Sequence, residues 1–276
     1  LKGEGQRLVI LDFTGEHSRA LKAEGFAVSL PPDPLRVYNP VEAAETISTF
    51  SEMYFAGERG ALSPMVFSLI LRACEESYQR YGEVRCRAIA EYLVNLRATK
   101  LRDDEVRAVD AALNRIAPLQ YEYSAALPSS DLVVIDLSGY PEYTQAILAD
   151  SILKTIFHEA QRGLAGRLTV IVDEAHRLTR GRVVSRSLEK LLTEGRGYGV
   201  RVILSSQDPS QLSQLMWTQA AMIILMGIYD TTPLQGVVPP EILPKLRALG
   251  TGEAIVFWRG SWRKARIDPA APFSQK

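Results

Sequence analysis

The stretch LTVIVDEAH, Leu168–His176, decides how the rest of the chain is read. Its apolar residues run without alternation, so a strand here buries both faces, as the inner strands of a mostly parallel sheet do. It ends in two adjacent carboxylates, Asp173 and Glu174. Other short runs share that form, a β-branched stretch followed by a polar residue and a turn: LVILD (Leu8–Asp12), LVVID (Leu132–Asp136), VRVILSSQ (Val200–Gln207), AMIILM (Ala221–Met226) and EAIVFW (Glu253–Trp258). Helix-length amphipathic segments lie between them, notably Tyr143–Arg162 and Val184–Glu194. Strand alternating with helix means βαβ units and an α/β fold with a mostly parallel central sheet. In such sheets ligands bind beyond the carboxyl ends of the strands. Asp12, Asp136, Asp173, Glu174 and Gln207 all fall there.

After the stiff Pro31–Pro34 segment the rhythm changes. From about Pro40 to Gln120 no strand is expected, and the start signals are those of helices: Ser63 then Pro64, and Asp103 before a further helix. Val106, Val109, Leu113 and Ile116 form one apolar face. The expected organisation is a first part of the core over 1–38, an all-helical insertion over 39–126, and the remainder of the core over 127–276.

The composition sets the outer bounds. Of 276 residues 46% are hydrophobic and 23% charged, which excludes a disordered or fibrous chain. No apolar run approaches the roughly 18 residues of a membrane helix. The 2 cysteines, Cys74 and Cys86, lie in a helical stretch without metal-site spacing and read as buried reduced thiols, which suits a cytoplasmic protein. The 32 basic and 32 acidic residues cancel. That balance is an average over unequal regions, for Arg177, Arg180, Arg182 and Arg186 have no acid among them, and Arg259, Arg263, Lys264 and Arg266 form a second basic cluster. In a ring, which the resemblance given below implies, either cluster would be repeated around a pore, and the first would be the DNA-facing surface.

Asp173 and Glu174 fit a Walker B arrangement. Asp173 would hold Mg²⁺, which prefers carboxylate and water oxygens, and Glu174 would polarise a water for attack on a phosphate. Ser205-Ser206-Gln207 follows about thirty residues on. If its strand neighbours the first, Gln207 can orient water or sense the phosphate, while Ser205 and Ser206 suit a turn. Asp12 and Asp136 suit a site rim and equally an ordinary strand-to-loop turn. The glycines of TEGRGYGVR (Thr193–Arg201) suit a helix cap and tight turn, and Arg196 is by spacing alone an exposed turn residue. HEAQR (His158–Arg162) lacks the second histidine of a zinc-protease helix, and 3 scattered histidines suggest no triad.

Taken in order, VILDFTGEHS, LSPMVFSLIL, VVIDLSG, VIVDEAHRL, EGRGYGVRVILSSQDPSQL and LRALGTGEAIVFW resemble the HerA/FtsK superfamily of RecA-like ATPases, HerA-type DNA translocases above all and the related conjugation (type IV secretion) ATPases. The resemblance implies a RecA-like P-loop NTPase core with a helical insertion, ATP and Mg²⁺ as cofactors, Asp173 and Glu174 as Walker B residues, Gln207 as sensor and Arg196 as arginine finger. It also implies a homo-hexamer on double-stranded DNA and, for HerA itself, a NurA-type nuclease partner. The chain departs from the family in containing no G-x-x-x-x-G-K-[ST]. In the family that loop lies one helix upstream of the strand beginning here at Leu8. The expectation is therefore a fragment without its P-loop, inactive alone, or else a degenerate member serving as a DNA-binding scaffold.

Overall fold

The computed structural model describes residues 6–55, 62–180, 183–207 and 209–267, apart from the side chains of Arg180 and Val183. It falls into two compact units, Leu1–Gln207 and Asp208–Lys276.

The first unit is built on β1 (Gln6–Asp12), flanked by α1 (Glu16–Ala23) and the two-residue β2 (Val28–Ser29), which the sequence did not announce. Four helices follow: α2 (Pro40–Tyr54), α3 (Pro64–Tyr81), α4 (Cys86–Arg97) and α5 (Asp103–Ile116). The chain then returns through β3 (Leu132–Asp136), α6 (Glu142–Gln161) and β4 (Arg167–Val172). A small antiparallel pair, β5 (Thr179–Arg180) with β6 (Val183–Val184), precedes α7 (Arg186–Glu194) and β7 (Val200–Leu204). The main sheet is parallel throughout, in the order β2-β3-β1-β4-β7. Its centre is as apolar as the unbroken runs require: Val9, Leu11, Val134, Ile135, Val170 and Val172 are fully buried. At the outer edge the pattern fails, and β7 leaves Ile203 43% exposed.

The helical stretch packs in sequence order, α2 on α3, α3 on α4 and α4 on α5, around Phe50, Ile70, Ile89, Leu93 and Ile116. Ser63 caps α3 as expected, its Oγ accepting from the Val66 amide. For α5 the cap is Arg102, one residue before the expected Asp103, and the acids Asp103, Asp104 and Glu105 fill the first turn, where they complement the helix dipole. Asp33 of the proline-rich segment accepts from the Cys86 amide and thiol, tying that segment to α4. Both cysteines are free and buried, and burial pushes the Cys74 thiol up to about 12.

Two readings change. Helix α6 is not amphipathic in use: every residue from Tyr143 to Leu153 is buried, because α2 and α7 both pack on it. Val184 belongs to β6, and α7 begins at Arg186 behind a Ser185 cap.

The second unit holds α8 (Gln214–Gln219), β8 (Met222–Met226), α9 (Leu243–Arg247), β9 (Glu253–Trp258) and β10 (Ser261–Arg266). The runs expected to complete the parallel sheet, Ala221–Met226 and Glu253–Trp258, instead form an antiparallel sheet of their own, in the order β10-β9-β8. One face lies on a core of Leu225, Leu234, Val238, Ile242, Leu246 and Ile255. The other is open, with Met222, Ile224 and Met226 exposed. A short apolar run cannot by itself tell a two-sided strand from a one-sided one. Among the described residues no helix is long and apolar enough to cross a membrane.

Asp150, buried in the middle of α6, joins three parts of the first unit. Its carboxylate accepts from the hydroxyls of Tyr38, Ser185 and Ser187 and from the Ser187 amide. Burial, with Asp150 beside it, pushes the Tyr38 phenol well above its ordinary range and keeps it a donor. Asp150→Ala strands these donors in the core, and a loss of about 2–4 kcal/mol in urea unfolding is expected.

Candidate functional site

The parallel register sets the carboxyl ends of β3, β1, β4 and β7 side by side, and main-chain hydrogen bonds extend the ladder into the loops. Leu137 N donates to Asp12 O (2.8 Å), Asp173 N to Leu11 O (3.2 Å), Ser205 N to Val172 O (3.1 Å) and Ala175 N to Ser205 O (2.8 Å). The sequence-predicted Asp12, Asp136, Asp173 and Glu174 thereby share one edge, and Gln207 lies exposed just past Ser205.

Their environments differ. Asp12 is fully buried, and its oxygens accept from the amides of Thr14 (3.2 Å), Gly15 (2.9 Å) and Ser18 (2.7 Å). Burial alone would raise this carboxyl, but the Ser18 and Gly15 amides, with His17 nearby, outweigh it and hold the group below its ordinary value. Its acceptor capacity goes into closing the loop at the start of α1. Asp136 does a similar service, with Oδ1 accepting from the Ser138 amide (3.0 Å) and hydroxyl (2.7 Å). The two loops touch at Gly15, which has φ +77°, and a Cβ there would stand 2.7 Å from Ser138 Oγ. Only glycine fits.

Asp173 keeps free capacity. Oδ1 accepts from Ser205 Oγ at 2.6 Å, while Oδ2 has His17 Nε2 at 3.6 Å. Glu174 is the unusual residue. It adopts a left-handed backbone (φ 47°, ψ 49°), a conformation that costs a non-glycine residue roughly 1–3 kcal/mol and gathers at functional sites. Its Oε2 is buried, accepts no well-aligned hydrogen bond, and stands 3.1 Å from His176 Nδ1.

The structure thus adds Ser205, His17 and His176 to the site. Ser205 reads in the sequence as a turn former. His17 follows the β1 strand end in the string GEHS, and His176 closes DEAH, so closeness to a strand end was the available signal.

The arginines disperse. Arg196 is exposed in the turn at the amino end of β7, a whole strand away from Asp173 of its own chain. Arg177 is partly buried, its guanidinium donating to Gln145 Oε1 (2.7 Å) with Glu142 at 3.5 Å. Arg186 pairs with Glu45 of α2. Arg182 and the Arg180 side chain lie outside the described residues.

The donors bear on which groups the edge can hold. Asp173 with the Ser205 hydroxyl is a hard-oxygen pair suited to Mg²⁺, which takes one or two carboxylates and completes its shell with water and phosphate. Among the described residues no cluster of three or more His, Cys, Asp or Glu side chains could bind a metal unaided. The phosphate side does not fit, since no glycine-rich lysine loop exists in the sequence.

A five-stranded parallel sheet with paired acids at the end of an inner strand defines the class of fold, a RecA-like P-loop NTPase core with surrounding helices. Solved structures agree. VirB4 of Thermoanaerobacter pseudethanolicus superposes with a TM-score of 0.74 at 17% identity, covering 98% of this chain and 83% of that one. The plasmid coupling protein TrwB with the ATP analogue ADPNP gives 0.64 at 14% identity, over 98% and 81%. TrwB with ADP and Mg²⁺ gives 0.62 at 14%, over 97% and 86%. At such identities the likeness establishes the fold. A family model described as the TraM recognition site of TraD and TraG matches residues 167–243, a span that runs from the start of β4 to the start of α9. No curated protein matches the sequence.

Asp12 offers a direct check on the loop. Because its folded carboxyl lies below the ordinary 3.8, it contributes stability above that pH that is lost as pH falls through the folded value. Asp12→Asn turns an amide toward the Ser18 or Gly15 N–H, so a loss of about 2–3 kcal/mol at pH 7 is expected. Unfolding midpoints measured from pH 7 to 3 should show the mutant less acid-sensitive than the wild type.

Proposed function

We propose that this chain carries the Walker B half of an ATPase core from a DNA-translocating motor of the conjugation or type IV secretion kind. The observation that carries the reading is the edge itself: Asp173 anchored by Ser205 across neighbouring strands, with Glu174 buried beside it in a left-handed turn. The family match and the VirB4 and TrwB likenesses favour the conjugation type over the HerA-type end-processing role. Nothing in them supports a NurA-type nuclease, and that partner is not carried forward.

In this reading ATP is the substrate and Mg²⁺ its companion, in line with a TrwB structure that holds ADP and Mg²⁺. Asp173 would hold the metal, directly or through water, and Mg²⁺ supplies charge neutralisation on the phosphates. Glu174 would take the proton of the attacking water, and Gln207 would orient that water from the next strand. Asp12 and Asp136 shape the rim by holding their loops. Arg196, too far from its own site, acts only if a second copy presents its nucleotide, as a homo-hexameric ring would arrange.

The phosphate-binding loop would come from residues outside the 276. Support lies in β7, whose far edge has no strand partner among the described residues and whose Ile203 is partly exposed. An added strand leading into a glycine-rich loop would cover that edge and bring the loop to the line of carboxylates. Double-stranded DNA is the proposed track. With Arg177 and Arg186 held by intramolecular partners, Arg180 and Arg182 are the remaining basic candidates of the first cluster.

Titration calorimetry with ATP·Mg²⁺ on the isolated 276-residue chain should show weak or no binding, and steady turnover by it would refute the missing-loop reading. In a form joined to its phosphate-binding loop, Glu174→Gln should lower kcat about 100-fold or more while leaving nucleotide affinity near normal. In that same form Arg180→Ala/Arg182→Ala should weaken duplex DNA binding and reduce the slope of log K against log salt by up to about 2. An unchanged slope would remove these residues from the track.

A further inference from the structure

We propose that His176 is a positioning residue for Glu174, linking that carboxylate to the end of β7. The proposal rests on the ATPase reading for its consequence, though its geometry stands apart from it. Main-chain bonds on either side hold the left-handed backbone of Glu174, but its side chain has no such support, for Oε2 is buried without a well-aligned donor. His176 Nδ1 stands 3.1 Å from that oxygen. The ring is well placed to act. It sits in the short turn Ala175–Leu178, which is locked on one side by Ala175 N donating to Ser205 O and on the other by Arg177 N donating to Glu174 O.

The same nitrogen faces a second group, Ser206 Oγ, at 3.4 Å. Nδ1 can donate to Glu174 only while it carries a proton, and it can accept from Ser206 only while it does not. With the proton on Nε2 alone, the Nδ1 lone pair would confront a buried carboxylate at 3.1 Å, which is repulsive. The carboxylate therefore selects the Nδ1–H form, in which Ser206 Oγ can only accept from the ring. Ser206 is the residue before Gln207, so a shift at the end of β7 reaches Glu174 through one ring. Glu174 and Ser206 then compete for one N–H, and where Ser206 sits sets how much of it Glu174 receives.

The first test needs no nucleotide. ¹⁵N NMR of the 276-residue chain should show His176 protonated on Nδ1, assigned by the signal lost in His176→Asn, and Glu174→Gln should return the ring to the Nε2–H tautomer. An Nε2–H ring in the wild type overturns the proposal. The second test uses the form joined to its phosphate-binding loop. Asparagine places an N–H₂ where Nδ1–H stood, so His176→Asn should keep kcat within about twofold, while His176→Ala and His176→Gln lower it about 10-fold with KM and ATP-analogue affinity unchanged. Wild-type turnover in His176→Ala, or an asparagine variant as slow as the alanine one, overturns it. Should Glu174→Gln itself hydrolyse ATP normally, the ATPase reading fails, and the NMR result still decides whether His176 holds Glu174.

Discussion

The main-chain ladder that runs on past the end of β4 is the constraint from which the candidate site follows. Strand pairing stops at Val172 in formal terms, but Asp173 N still reaches Leu11 O, and Ala175 N reaches Ser205 O. These bonds fix the backbone on both sides of Glu174 while leaving Glu174 itself to turn. The left-handed conformation is the geometric price of joining a strand to a short helical turn without letting go of either neighbour. Every side-chain relation at the edge inherits that arrangement, including the Ser205–Asp173 bond and the His176–Glu174 contact.

Two aspartates at adjacent strand ends show how local donors divide labour among like groups. Asp12 meets three loop amides and is consumed by them. Asp173 meets one hydroxyl and a distant imidazole, and so retains an oxygen for something else. Nothing in LVILD or TVIVD distinguishes them. What differs is the next few residues: Thr14-Gly15 bends the chain so that its N–H groups point back at Asp12, whereas Glu174-Ala175 commits its N–H to β7.

That contrast also marks what the sequence could tell. The inner strands were legible because unbroken apolar runs have few alternatives, and their ends foretold where the acids would gather. The helices of 40–116 were legible from caps and a 3.6-residue period, with Asp103 displaced by one position. Ala221–Met226 and Glu253–Trp258 misled because a strand lying on a core with one face is as apolar, over five or six residues, as a strand buried on both. The arginines after Glu174 show a different limit of reading by spacing. Arg177 and Arg186 find their partners Gln145, Glu142 and Glu45 far away in sequence, so two members of a cluster free of acids on paper are paired in space. His17 and His176 went unread because a histidine's role is set by tertiary neighbours that no spacing rule reveals.

The bare flank of β7 has a further consequence for how the polypeptide behaves in a test tube. A strand whose far edge has no strand partner among the described residues, with Ile203 partly exposed on it, is a template for any other extended segment in solution. With no proper neighbour supplied, the most abundant candidate is the same strand of another copy, and edge-to-edge association then competes with solubility as concentration rises. The open edge of β7 is thus the feature most prone to draw copies of this chain together as concentration rises.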